Sequence, residues 1–170
     1  MLVITTPTTA EQLDQVRDLM RAFIDWHRHR HLEDIELIDS YFDEAAFEDE
    51  LASLPGRYAP PGGALLLARY DGEPAACVAL KSIDADSCEM KRMFVYTHFH
   101  GKGIGRALAE AVIEQARALG YRTMRLDTSI RQREAQRLYR SFGFRETPPY
   151  YDLPEPLRDW LVFMELPLRS

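Results

Sequence analysis

The feature that most constrains this chain is a junction between two kinds of hydrophobic order. The apolar, strand-like run EMKRMFVY (residues 89–96) passes through THFHGKGIGR (97–106) into the helix-periodic IGRALAEAVIEQARALG (104–120). Glycines at 101, 103 and 105 let successive backbone N–H groups turn toward one concavity, where a helix start adds partial positive charge. Lys102 and Arg106 flank the same turn with charge enough for a diphosphate. A dinucleotide fingerprint G-x-G-x-x-G is excluded, because its sixth residue would be Arg106 counted from Gly101, or Leu108 counted from Gly103. The G-x-x-x-x-G-K-[ST] loop of nucleotide hydrolases is absent as well. What remains is an anion-binding strand-to-helix corner, with a plain flexible turn as its rival.

The elements on either side follow from periodicity. LVIT (2–5) is a short strand, and Thr8 or Thr9 caps a helix whose apolar positions are Leu13, Val16, Leu19, Met20, Phe23 and Ile24. IDSYFDEAAFEDELASLPG predicts a second helix carrying Tyr41, Phe42, Phe47 and Leu51, stopped by Pro55-Gly56. From Gly62-Gly63 the period becomes that of strands. ALLLARY and AACVALKSI pair about Asp71-Gly72, and CEMKRMFVY is the third strand. After the glycine corner come a helix, the strand YRTMRLDTS and the helix EAQRLYRSFGF. TPPYYDLPEP reads as a proline-bound loop without regular structure, and WLVFMEL as the closing strand. The order β-α-α-β-β-β-α-β-α-β predicts an α/β (α+β) fold, a mixed sheet flanked by helices, in one domain over residues 1–170.

Composition narrows the function. No apolar run approaches the roughly 18 residues of a membrane span, and MLVITTPTTAEQ lacks a basic-then-apolar leader. Two cysteines, Cys77 and Cys88, make neither a disulfide framework nor a zinc site, so a reducing, cytoplasmic setting is expected. Residues 1–60 hold 13 acidic and 5 basic side chains, the remainder 14 and 16. So acidic a chain argues against a nucleic-acid partner, and nothing points to a membrane. The asymmetry suits a protein handling an anion on one side and a cation on the other, with a plain solvated acidic surface as the alternative. His27 and His31 are four apart on a helix, but without a third ligand they read as cations at a helix C-terminus, and no metal is expected.

The block EMKRMFVYTHFHGKGIGRALAEAVIEQARALGY resembles the acetyl-CoA-binding core of the GNAT superfamily of N-acetyltransferases, small single-domain members of bacterial type in particular. The superfamily's [Q/R]-x-x-G-x-[G/A] signature is matched at positions 100–105 except at His100. AQRLYRSFGF resembles its second block, A-x-x-L-Y-x-x-x-G-F, and PPYYD…VFMEL its C-terminal part. The likeness covers about residues 64–166 and implies a GNAT fold with a splayed central sheet.

The resemblance also implies roles. Backbone groups of Phe94, Val95 and Tyr96 would bond the pantetheine arm of acetyl-CoA, one N–H polarising the thioester carbonyl. His100, Gly101, Lys102, Gly103, Ile104, Gly105 and Arg106 would hold the diphosphate, with Gln132 and Tyr139 completing the coenzyme A site. His100 stands where Arg or Gln is usual, and Gln132 where many members have Asn; both keep a donor. Tyr139 is the expected acid for the leaving thiolate, and Glu89 the expected base, directly or through water, with His98 as a rival. Tyr150, Tyr151 and Asp152 either contact the acceptor by cation–π and charge or form a structural lid. The acidic first two helices, walling the acceptor side, favour a cationic amine of a small molecule or peptide. The implied reaction is direct acetyl transfer to a primary amine without an acetyl-enzyme. A non-catalytic acyl-CoA-binding module is the alternative, and a homodimer is left open.

Overall fold

A computed structural model describes residues 1–169. Strands β1 (Leu2–Thr5), β2 (Ala64–Tyr70), β3 (Glu73–Ser82), β4 (Ser87–Val95), β5 (Thr123–Ser129), β6 (Arg145–Glu146) and β7 (Leu161–Pro167) build one mixed sheet in the order β1-β2-β3-β4-β5-β7-β6. Every neighbouring pair is antiparallel except β4 and β5. Helices α1 (Ala10–Arg30), α2 (Ile35–Tyr41) and α3 (Glu44–Ala52) precede β2. Val16, Leu19 and Met20 of α1 and Phe47 and Leu51 of α3 pack on one sheet face, against Leu65, Leu67, Cys77 and Phe94. The other face is covered by α4 (Ile104–Ala118), through Ile104, Leu108, Val112 and Ala116, and by Tyr139 of α5 (Arg133–Ser141). A sixth helix, α6 (Glu155–Trp160), packs with Ile38 of α2 on Phe163 of β7.

The local causes are visible in the sequence. Thr9 closes a capping box, its Oγ1 accepting from the Gln12 amide at 3.1 Å while the Gln12 side chain accepts from the Thr9 amide at 3.2 Å. The expected second helix divides in two. Asp43 caps α3 by accepting from the Ala46 amide at 3.1 Å, and Phe42 leaves helical geometry to meet the rings of Phe23, Tyr41 and Phe47. The proline-rich loop also ends earlier than expected. Pro154 and Pro156 suit the start of a helix, and Trp160 closes α6 instead of opening the last strand. Its indole N–H donates to Asp34 at 3.1 Å. The two-residue strand β6 was not legible.

A bulge in β4 sets the faces of the site. Opposite Cys77 and Ala79 of β3 stand Phe94 and Lys91, so Arg92 and Met93 together face Val78, and Arg92 takes φ +59°. The extra residue turns consecutive cations, Lys91 and Arg92, to the α2–α3 side. Strict alternation would send one of them into the apolar α4 face.

His27 is buried on α1 beneath Phe23, Trp26 and Phe42, and burial, then His31 and Arg30, hold its imidazole down at about 4. The folded state therefore keeps a neutral ring where the unfolded chain, near 6.5, accepts a proton. Its stabilisation is present above pH 6.5 and is lost as pH falls toward 4, by up to about 3 kcal/mol. Denaturant unfolding at pH 7 and pH 4.5 should show this loss, and His27→Phe should flatten it.

Candidate active site

Strands β4 and β5 pair only from Ser87 to Glu89 against Thr123 to Arg125. Beyond Glu89 they part, β4 staying with β3 and β5 with β7. The gap is a neck of about 50 Å³ whose lining includes Met90, Leu126 and Asp127. On one side lies a groove of about 510 Å³ between α1, the glycine corner and α5; on the other, a cavity of about 720 Å³ walled by α2, α3, β3, β4 and Tyr150-Tyr151. Neck and groove share Phe23, Met93, Gln132 and Tyr139; neck and cavity share Tyr41, Phe42, Lys91 and Arg92. Groove and cavity have no lining residue in common. Two ligands can thus come from different sides and meet inside the sheet.

The groove fits a polyanion with a long arm. Gly101 and Gly103 adopt φ +81° and +76°, a region L side chains avoid, and a Cβ on either would meet nothing within 4 Å. Ile104 starts α4 without a side-chain cap, so the first-turn amides stay open to a ligand. The Tyr96 amide is bonded to the Ala75 carbonyl at 2.9 Å, and Phe94 lies opposite Cys77 of β3. Alternation along the strand then turns the Val95 backbone toward the gap. His100 donates from Nε2 to the Val95 carbonyl at 3.0 Å, which fixes the corner against the strand and leaves the Val95 N–H for a ligand.

The side-chain charges lie elsewhere than the sequence predicts. Lys102 sits over the Tyr70 ring and Arg106 over the Phe142 ring, 5.2 Å and 5.1 Å from the centroids, and neither lines the groove. The groove's guanidiniums are Arg30, Arg131, Arg133 and Arg137. Arg131 is held by Asp34 at 3.0 Å. The signal was present as three arginines in RQREAQR (131–137), directly before Tyr139, but on a helix such a run reads as a solvated face. Gln132 uses its Oε1 locally, accepting from Thr128 Oγ1 at 2.7 Å and from the Ser129 amide at 3.2 Å. The open glycine corner, uncapped helix start and arginine-lined groove together fit coenzyme A.

Tyr139, where neck and groove meet, is 7% exposed, and burial raises its phenol above the usual value. Glu89 is buried; it accepts from the Tyr150 hydroxyl at 2.6 Å, and Lys81 and Lys91 each place Nζ 3.7 Å from its Oε1. Asp127, which the sequence reading missed, lines the neck and accepts from the hydroxyls of Tyr41 and Tyr151. Its signal was an acidic residue in the strand RTMRLDTS, one position after the buried Leu126 and ahead of the tyrosine helix. Tyr150 and Tyr151 line the cavity; Asp152 is not in its lining. His98 stacks on Tyr96 and lines neither neck nor cavity.

The acidity of the first third does not dominate the cavity. Of its carboxylates Asp43, Asp49 and Glu50 line the wall; Asp43 caps α3, and Glu50 is bonded to Arg57 and Arg92. Cys77 and Cys88 are fully buried, and burial pushes both thiols up to about 12, so neither supplies a thiolate at neutral pH. Among the described residues no group of three side chains could hold a metal ion, and no helix is long and apolar enough to cross a membrane.

Comparison with known proteins agrees with this geometry. Residues 16–144 match the pattern described as the Acetyltransferase (GNAT) family. An uncharacterised N-acetyltransferase of Schizosaccharomyces pombe is 40% identical over 121 residues, which cover 70% of this chain and 72% of that one. N-acetylaspartate synthetase of Danio rerio is 37% identical over 120 residues, covering 68% of this chain and 42% of that protein. The fold is that of PaiA N-acetyltransferase from Thermoplasma acidophilum, solved in complex with coenzyme A, with a TM-score of 0.72 at 17% identity over 98% of this chain and 99% of that one. By its sequence pattern, its relatives and its parted sheet, the chain belongs to the GNAT superfamily of N-acetyltransferases.

Proposed function

We propose that the protein transfers the acetyl group of acetyl-CoA to a primary amine of a small molecule or peptide by direct attack within the neck. The observation that carries this reading is the meeting of two separately lined spaces at one narrow opening, with Tyr139 on the groove side and Lys91 on the cavity side. The solved relative with coenzyme A and the likeness to N-acetylaspartate synthetase support the donor and an amine acceptor.

When bound, acetyl-CoA supplies an activated acyl group; the chain's residues do the rest. The glycine corner, the first turn of α4 and Arg133 and Arg137 hold the phosphates, and the Val95 N–H donates toward the carbonyl oxygen. Tyr139, kept protonated by burial, holds the proton that the departing thiolate needs. Two carboxylates could receive the proton of an incoming ammonium. Glu89 lies outside the lining of the neck and between two ammoniums, whereas Asp127 lines the neck itself and is bonded to phenols alone, so we assign the base to Asp127.

The test is release of free thiol from acetyl-CoA across a panel of amines. Turnover is expected, and acetyl-labelled donor incubated without acceptor should leave no label on either cysteine. Label on Cys77 or Cys88 would refute direct attack. Calorimetric binding of coenzyme A with no thiol released by any amine would instead favour a non-catalytic acyl-CoA-binding module.

A further inference from the structure

In the cavity beyond the neck two lysines share one buried carboxylate. Lys81 on β3 stands directly opposite Glu89 on β4, and Lys91 follows two residues along the same strand face. Both ammonium nitrogens therefore converge on one carboxylate, from 3.7 Å, which is longer than a charge-assisted hydrogen bond. Glu89 already accepts a shorter bond from Tyr150, at 2.6 Å. The neighbouring carboxylate, Glu50, is likewise shared between two cations, Arg57 and Arg92. Away from solvent the wall thus sets Lys81, Lys91 and Arg92 against Glu50 and Glu89, while Arg57, Asp43 and Asp49 are solvent-exposed. Lys91 is mostly buried, its side chain 14% exposed, and burial lowers its affinity for a proton, opposed by Glu89 and Asp127. Burying that ammonium is costly when its nearest carboxylate, at 3.7 Å, is shared with Lys81, and a ligand anion placed between the two lysines would pair them more fully.

The geometry points to a carboxylate-binding subsite in which Lys81 and Lys91 hold the acid group of the acceptor, making the acceptor an amino carboxylate. This rests on the acetyl-transfer reading above. Lys91 lines both neck and cavity, whereas Lys81 lines the cavity alone. An amino acid with its amine at the neck, facing Asp127, therefore extends its carboxylate toward the pair. The aromatic wall of Tyr41, Phe42, Phe47 and Tyr150 receives the rest of the molecule. A polyamine or aminoglycoside would bring further cations against Lys81, Lys91 and Arg57.

The experiment compares free α-amino acids (leucine, phenylalanine, aspartate) with their carboxamides as acceptors, in the thiol-release assay with the intact enzyme. At least one acid should exceed its amide by about 10-fold or more in kcat/KM. Lys81→Met should raise KM for that acid by a similar factor while leaving KM for the amide and for acetyl-CoA in place, and Lys81→Arg should recover most of the loss. Equal turnover of acids and amides would overturn the subsite while leaving acetyl transfer intact, and so would a Lys81→Met effect common to both. If no amine releases thiol, acetyl transfer itself fails. Calorimetry of the same amino acids on the coenzyme A complex then decides the subsite: Lys81-dependent heat supports it, and no heat refutes it.

Discussion

Asp127→Asn is expected to lower kcat by about 10²-fold or more at neutral pH, the size of effect a positioned proton acceptor provides. Asparagine preserves shape and can still accept from Tyr41 or Tyr151, but it cannot take a proton. The loss should shrink as pH rises, because an acceptor already deprotonated in solution no longer needs a base. Glu89→Gln is the control. It removes a charge from between Lys81 and Lys91, so its effect should fall on KM, with kcat changed less than about 10-fold. The reverse ranking, with Glu89→Gln losing 10²-fold in kcat and Asp127→Asn near wild type, would return the base to Glu89. Steady-state rates from pH 6 to 9 for the two variants make the comparison.

Glu50→Ala should destabilise the fold by about 3–5 kcal/mol, the cost of stranding a buried charge. Glu50 accepts from Arg92 through both guanidinium arms, Nε and Nη2, at 2.9 Å each, and their side chains are only 11% and 9% exposed. The Tyr58 hydroxyl, at 3.0 Å, loses its acceptor as well. Arg92 is the bulge residue, so the pair also fastens α3 to the strand that carries Lys91. The double replacement Glu50→Leu with Arg92→Met should recover most of the loss, since no charge is then left unpaired. Burial alone would raise the Glu50 carboxyl, but the Arg92 and Arg57 guanidiniums outweigh it and hold it below the ordinary value. The contribution is therefore in place at neutral pH and fades in acid, as pH falls through that depressed value. Urea unfolding of the three proteins at pH 7 measures the ranking; a Glu50→Ala penalty under about 1 kcal/mol would contradict it.

Most of the fold was legible because the hydrophobic period changes where the layers change. The capping threonine, the Asp71-Gly72 hairpin and the stripe on α4 are short-range signals that tertiary contacts merely confirm. The break at Phe42 and the helix ending at Trp160 were not legible, since each depends on partners far along the chain: Phe23 and Arg92 for the first, Asp34 for the second. The site divides the same way. Its glycine corner is a local backbone pattern and could be read directly. Asp127, the arginines before Tyr139 and the Lys81–Lys91 pair owe their meaning to a parted sheet and a one-residue bulge, neither of which leaves a mark in periodicity.

Groove and cavity have separate walls, so on the proposed reaction each ligand has its own doorway. A product lingering on one side does not bar the other, so release of acetylated amine need not wait for departure of the spent coenzyme. Such a through-passage imposes no queue, and inhibitors aimed at the two mouths should occupy the protein together rather than compete.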